Sequence, residues 1–232
     1  MEKLRVGLIF GGRSVEHEVS VASATSIHRA LDPTRYEVTL VAIDHDGRWH
    51  RGAPKLPPEA SLRGDLVSLQ PMPGDRALVP AGHGALGPVT QLDVILPIVH
   101  GRGGEDGSLQ GLLELAGIPY VGSGVLGSAV QMDKEVAKRL LHAAGLPVAR
   151  WTLVRHAELR ADPAATAARV LREIPAPLFV KPANQGSSVG ITKVREPGEL
   201  LAALQEAARY DTKILVEAAI VIALLVFGRL FS

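Results

Sequence analysis

Cysteine is absent from the 232 residues. That excludes disulfides and thiolate metal sites, and it fits a reducing cytoplasm. No charge of one sign dominates either: 25 lysines plus arginines face 24 acids, a net charge of +1. A nucleic-acid footprint needs a clustered basic face, so no nucleic-acid partner is expected. The eight histidines never fall as His-x-x-x-His, which leaves a helical zinc pair without support. The G-x-x-x-x-G-K-[ST] loop is missing too, so any bound nucleotide must be held by another device. Long apolar runs are lacking. Ala218 to Phe227 is far short of the ~20 residues that span a bilayer, and Glu217 stands just before it, so no membrane partner is expected. The apolar part of the N-terminus is too short for a secretory signal.

What is present is an apolar content of 47 %, ordinary for a packed globular chain, in a length between one large domain and two small ones. The run Leu4 to Phe10 ends in Gly11-Gly12 and reads as a buried strand entering a tight turn. From about Glu16, Val21, Ala24, Ile27 and Leu31 fall at helical spacing until Asp32-Pro33 stops them, and Tyr36 to Ile43 is the next strand. Strand, helix, strand predicts a βαβ unit with a parallel sheet. A weaker, Pro/Gly-rich stretch follows, with Leu66 to Leu69 as a strand signal, then a strong strand at Leu92 to Val99 and a helix at Gly107 to Ala116. Beyond Tyr120 the texture changes. Helices are expected at about Lys134 to Ala144, Pro163 to Glu173 and Pro197 to Ala208. Strands are expected at Ala149 to Val154, Leu178 to Val180, Ile191 to Val194 and Lys213 to Val216. The expected fold is therefore α/β for residues 1–121, then a small α+β domain from 122 to 217.

Several segments carry chemistry or only shape. Gly122-Ser123-Gly124-Val125-Leu126-Gly127 matches G-x-G-x-x-G, but the strand before it is short and no acid stands about twenty residues on to hold a ribose. Val180-Lys181-Pro182-Ala183-Asn184-Gln185-Gly186-Ser187-Ser188-Val189-Gly190 leaves a strand through a lysine into a long Gly/Ser loop. A strand-end lysine and the amides of such a loop can cradle phosphate oxygens, and the alternative is a solvated surface loop. The stretch from His100 to Gly111 follows a buried strand, where open α/β sheets bind ligands, although its Gly-Glu-Asp-Gly also reads as a helix cap. Gly11 to Ser20 holds the equivalent place after the first strand, and its acids suit a helix N-terminus without any chemistry.

Together, FGGRSVEHEVS, HGRGGEDGSLQGLLELAGIPYVGSGVLGSAVQMDK and FVKPANQGSSVGITKV resemble the D-alanine–D-alanine ligases of the ATP-grasp superfamily. The resemblance runs from about residue 4 to residue 220. It implies a Rossmann-like preATP-grasp domain followed by the first half of an ATP-grasp fold. It also implies a reaction for peptidoglycan precursor synthesis: ATP phosphorylates one D-alanine, and the amine of a second attacks the acyl phosphate. By that resemblance Glu16 holds the ammonium of the first D-alanine, His100 lies near it, and Ser187 sits on the closing loop linked to Glu16. Lys134 and Lys181 contact ATP phosphates, with Ser187 and Ser188 on the loop above them. Glu217 receives the adenine amine, and backbone at Ala219 and Ile220 meets the ring. A homodimer through the first domain is also implied.

After about Ile220 the pattern departs. Residues 218–232 form an apolar tail where the family has an Arg-Glu-rich strand and a third domain. That domain carries a Lys-Tyr loop, a catalytic arginine and the ligands for magnesium (or manganese). The expectation is a truncated or frameshifted chain with no metal ligands of its own and negligible ligation alone. The choice between D-alanine and D-lactate as second substrate would lie in the missing part. The competing readings are a non-catalytic nucleotide-binding fragment and a dinucleotide site around Gly122 to Gly127.

Overall fold

The computed structural model describes residues 2–52, 64–82 and 84–220. The chain divides into two compact units, one up to Asp133 and one from Lys134 onward.

In the first unit, β1 (Leu4–Gly11) is buried from Val6 to its end, as a central strand covered on both faces must be. It lies between β2 (Tyr36–Ile43) and β7 (Val94–Ile98), parallel to both, with Leu4 opposite Tyr36 and Val6 opposite Val94. Helix α1 (His17–Ala30) crosses over from β1 to β2. The period of two then sorts the side chains. Leu8 and Phe10 meet Val21 and Ala24 of α1 on one face. Ile9, Val41 and Ile95 meet Leu109 and Leu113 of α2 (Ser108–Leu115) on the other. Fully burying each such side chain is worth about 1.5–3 kcal/mol before entropy is charged against it.

The parallel sheet expected from the βαβ pattern is the core of a larger mixed sheet of seven strands, ordered β6-β5-β4-β3-β2-β1-β7. Strands β3 (Trp49–Arg51), β4 (Asp65–Leu69), β5 (Ala77–Pro80) and β6 (Thr90–Gln91) extend β2 as an antiparallel meander. The strand predicted at Leu92 to Val99 is shorter than expected. Asp93 turns its carboxylate onto Arg5, accepting from the backbone N–H at 2.8 Å and from the guanidinium at 2.6 and 3.1 Å, and β7 starts only after it.

The expected boundary at residues 121/122 also differs from the division at Asp133. The segment after Tyr120 forms helix α3 (Val125–Met132), which packs beside the start of α2. A Cβ added at Gly107 would meet the Val125 carbonyl at 2.8 Å.

The second unit is an antiparallel sheet ordered β10-β9-β11-β8, from β8 (Trp151–Arg155), β9 (Leu178–Pro182), β10 (Thr192–Val194) and β11 (Lys213–Ala218). Helices α6 (Pro163–Glu173) and α7 (Leu200–Ala208) cover one face, where Val170, Ile174, Leu200 and Leu204 pack on Val154, Leu178, Val180, Ile214 and Val216. Asp162 caps α6 by accepting from the Ala165 N–H at 2.9 Å. One short element was not expected, α5 (His156–Ala161), and the helix expected from Pro197 opens as a 3-10 turn at Pro197–Glu199 before α7. The alternation that buries Leu178, Val180 and Pro182 turns Phe179 and Lys181 to the face away from α6 and α7. Most of the expected aberrant tail, residues 221–232, lies outside the described residues.

Candidate functional site

In the first unit the turns after β1 and β7 meet at the carboxyl ends of neighbouring parallel strands. The order reverses there, with β2 to one side of β1 and β7 to the other, and such a switch point is where open α/β sheets bind ligands. Ser14 ties the turns together. Its hydroxyl donates to the His100 carbonyl at 2.7 Å and accepts from the Glu16 N–H at 3.1 Å. Ser20, fully buried on α1, accepts from the Gly11 N–H at 2.7 Å and donates to the Ile98 carbonyl.

These ties bring Glu16 and the His100 turn together. Gly101, at φ +74°, has the Glu16 carboxylate against it: an added Cβ would stand 2.6 Å from Glu16 Oε2. The His100 ring lies between Ser23 Oγ, 3.2 Å from Nε2, and Glu105 Oε1, 3.5 Å from Nδ1. Glu105 also accepts from the Gly101 N–H at 3.0 Å. A nearby cavity of about 230 Å³ is lined by Gly12, Arg13, Trp49, Val99, Arg102 and Leu112, and neither Glu16 nor His100 borders it.

His17, Glu18 and His45 bring three ligand-type atoms within 4.8 Å of one another, a grouping the spacing of histidines did not reveal because His45 comes from the turn after β2. Two of the three are exposed, and buried His17 spends its Nδ1 on the Gly12 carbonyl at 2.7 Å while stacking on His45.

The second unit gathers the other expected residues. Lys181 on β9 pairs with Leu215, and Glu217 on β11 pairs with Phe179, so Lys181 and Glu217 are diagonal neighbours on the helix-free face. Lys181 Nζ is bonded to Glu217 Oε2, and Lys138 Nζ lies 2.5 Å from Oε1. One carboxylate is thus divided between two lysines. Burial, followed by the charges of Lys138 and Lys134, pushes Lys181 down to about 8.

Lys134 opens helix α4 (Lys134–Ala143) and donates from Nζ to the carbonyls of Ala183, at 3.3 Å, and Gln185. Lys134 therefore grips the loop that leaves β9. Asp211 anchors the loop's other side, accepting from the Asn184 N–H at 2.7 Å and from its side-chain amide at 3.0 Å. At the loop's tip Ser187 and Ser188 hold left-handed backbone, φ 47° and 62°. Such a conformation is costly for a side-chain-bearing residue, and sites that clamp ligands concentrate it. Ala219 donates its N–H to the Pro177 carbonyl at 3.1 Å, and Ile220 is exposed at the end of the described chain.

Sequence reasoning missed Lys138. It stands one helical turn from Lys134, a spacing that signals a shared helix face but not the strand that meets it. Gly122 to Gly127 leads into α3 from a single bridge between Ile95 and Tyr120, not from a full strand.

Comparisons with known proteins bear on the family of the chain. The profile described as D-ala D-ala ligase N-terminus matches residues 5–123, and that described as D-ala D-ala ligase C-terminus matches 140–225. The second match extends past Ile220, where the resemblance was expected to end. D-alanine–D-alanine ligase A of Chromobacterium violaceum is 51% identical over 229 residues, covering 95% of this chain. The Escherichia coli K12 ligase A is 46% identical over 226 residues, covering 94%. The chain spans 62% of the length of the first relative and 61% of the second.

Among solved structures, the Coxiella burnetii D-alanine-D-alanine ligase aligns with a TM-score of 0.78 at 34% identity, over 95% of this chain and 62% of its own. The VanG D-Ala:D-Ser ligase of Enterococcus faecalis aligns at 0.79 and 32%, over 94% and 63%. With both profiles matched in order, the chain belongs to the D-alanine–D-alanine ligase family.

Proposed function

We propose that these residues form the amino-acid and nucleotide sites of an ATP-dependent ligase joining two D-alanines through an acyl phosphate, in cytoplasmic peptidoglycan precursor synthesis. The ligation is proposed for a protein of the relatives' length, and nucleotide binding for the residues described. The observation that carries the reading is that Lys134 of α4 grips the loop leaving β9 while Lys181 of β9 is bonded to the Glu217 carboxylate of β11.

Phosphoryl transfer asks mainly for positioning and charge neutralisation. Lys181 exchanges Glu217 for phosphate oxygens, and Lys134 holds the loop while facing the same charge. Ser187 and Ser188 present hydroxyls and amides to the transferring phosphate. A loop that closes over the acyl phosphate keeps water from it. Glu217 accepts the adenine amine, and the backbone of Ala219 and Ile220 meets the ring. In the first unit Glu16 takes the ammonium of the first D-alanine, with His100 beside it. A homodimer through the first unit belongs to the same proposal.

The family's magnesium would need carboxylates other than Glu217 and Glu135. Glu217 is held by two lysines, and buried Glu135 by Arg139 and Lys213. Magnesium is held through one or two carboxylates together with substrate phosphates, and no step here is routed through it.

Calorimetric titration of the purified chain with ATP, NAD and D-alanine tests the reading. Saturable binding of ATP and D-alanine, with none of NAD, is expected. Binding of NAD with Gly122→Ala abolishing it would favour the dinucleotide alternative.

A further inference from the structure

Two lysines share Glu217, and the reading above uses only one of them. Lys138 has a fixed seat. Its Nζ lies 2.5 Å from Glu217 Oε1, donates to the Ala149 carbonyl at 3.2 Å, and stands 5.4 Å from the centre of the Trp151 ring. Its side chain is 14% exposed, and burial lowers its pKa. A lysine has three donors, and here a carboxylate, a carbonyl and a π face surround them. Lys181 sits on the other Glu217 oxygen with the charges of Lys138 and Lys134 crowding it.

When Lys181 turns to a triphosphate, a nearly buried carboxylate would lose half of its compensation. Removing one partner of a buried ion pair is costly, because the remaining charge is left without solvent or counter-ion. A second cation that stays in place removes that cost. It also keeps the carboxylate an acceptor, able to take an N–H donor and to repel a carbonyl.

We propose that Lys138 is a positioning residue for base selection: it remains on Glu217 as Lys181 moves to phosphate, and holds the carboxylate aimed at the 6-amino group of the purine. The inference rests on the nucleotide reading of Glu217. The competing role is a plain clamp between α4 and β11, without any part in choosing the base.

The test measures dissociation constants of the 232-residue chain for ATP and for purine riboside triphosphate, which lacks the 6-amino group, with thermal melting alongside. The wild-type chain is expected to prefer ATP by about tenfold or more, the size of one hydrogen bond to a charged group. Lys138→Met is expected to weaken ATP by about that factor and to leave the analogue within about threefold, so that the preference collapses. Lys138→Arg, which can hold the same carboxylate, is expected to restore it. If Lys138→Met does not fold, Lys138→Gln carries the same comparison.

If the wild-type chain binds both nucleotides equally, or neither, the role given to Glu217 fails and this inference falls with it. If the wild-type chain prefers ATP and the Lys138 variants keep that preference while melting lower, Lys138 is a clamp alone. The base-selection role is then overturned and the nucleotide reading stands.

Discussion

The Glu16 carboxylate occupies the space that a side chain at Gly101 would need, with a built Cβ only 2.6 Å from Glu16 Oε2. Gly101 also holds φ +74°, where a Cβ adds strain of its own. The proposed ammonium partner is therefore positioned by the absence of an atom on another strand's turn.

Gly101→Ala should displace Glu16 and weaken D-alanine binding by about tenfold, roughly the 1.4 kcal/mol that strain and displacement together supply. Calorimetry with D-alanine reads the change, and ATP binding serves as the internal control. An unchanged D-alanine affinity would remove Glu16 from the site.

Ser20→Ala should act on stability. The fully buried hydroxyl serves both the Gly11 N–H and the Ile98 carbonyl, and alanine leaves both without a partner. A loss of about 2–3 kcal/mol is expected. Urea unfolding followed by tryptophan fluorescence measures it.

Lys181 should make nucleotide binding depend on pH. In the ligand-free fold it is pushed down to about 8, so it is charged below that pH and neutral above it. ATP affinity should fall as pH rises from 7 to 9, and Lys181→Met should flatten that step. Stability moves the other way. The unfolded chain keeps this proton up to the ordinary value of 10.5 while the folded chain releases it near 8, so the unfolded state binds more protons in between. Stability of the ligand-free chain should therefore rise with pH across that window. Thermal melts from pH 7.5 to about 10.5, compared with Lys181→Met, check the sign.

Asp211→Ala should loosen the loop that carries Ser187 and Ser188. Its carboxylate holds Asn184 on one oxygen and the Lys213 N–H, at 3.0 Å, on the other. Faster hydrogen exchange at Asn184 and Lys213, and ATP binding weakened by about tenfold, are the expected outcomes. Exchange that stays as slow as in the wild type would show that the loop is held elsewhere.

Much of this was legible in the sequence where one period dominated. The run from Leu4 to Phe10 read as a buried strand, and Val21 and Ala24 marked the side of α1 that meets it. The strand-end rule then pointed to the stretches Gly11 to Ser20 and His100 to Gly111, and the family resemblance singled out Glu16 and His100 within them. Helix α3 was hidden because its sequence, VLGSAVQM after Gly-Ser-Gly, reads as turn chemistry, while in the fold it packs beside α2. The short strands β3, β5 and β6 carry too few residues for an alternation to show.

Lys138 was invisible for a different reason. A lysine on a helix reads as a solvated face, and its partner Glu217 lies on a strand whose approach belongs to tertiary structure. The same holds for Arg5 and Asp93, whose pairing shortened a predicted strand.

The pairing of β7 beside β1 has a temporal consequence. Ser14 reaches His100 across 86 positions, and Ser20 reaches Ile98 across 78. A ribosome must therefore release the whole meander before these two turns can meet, and until then the apolar flank of β1 waits without its second neighbour. Long-separated pairings of this kind close slowly, which makes the nascent first unit the stage at which this chain is most exposed to chaperone capture or to aggregation.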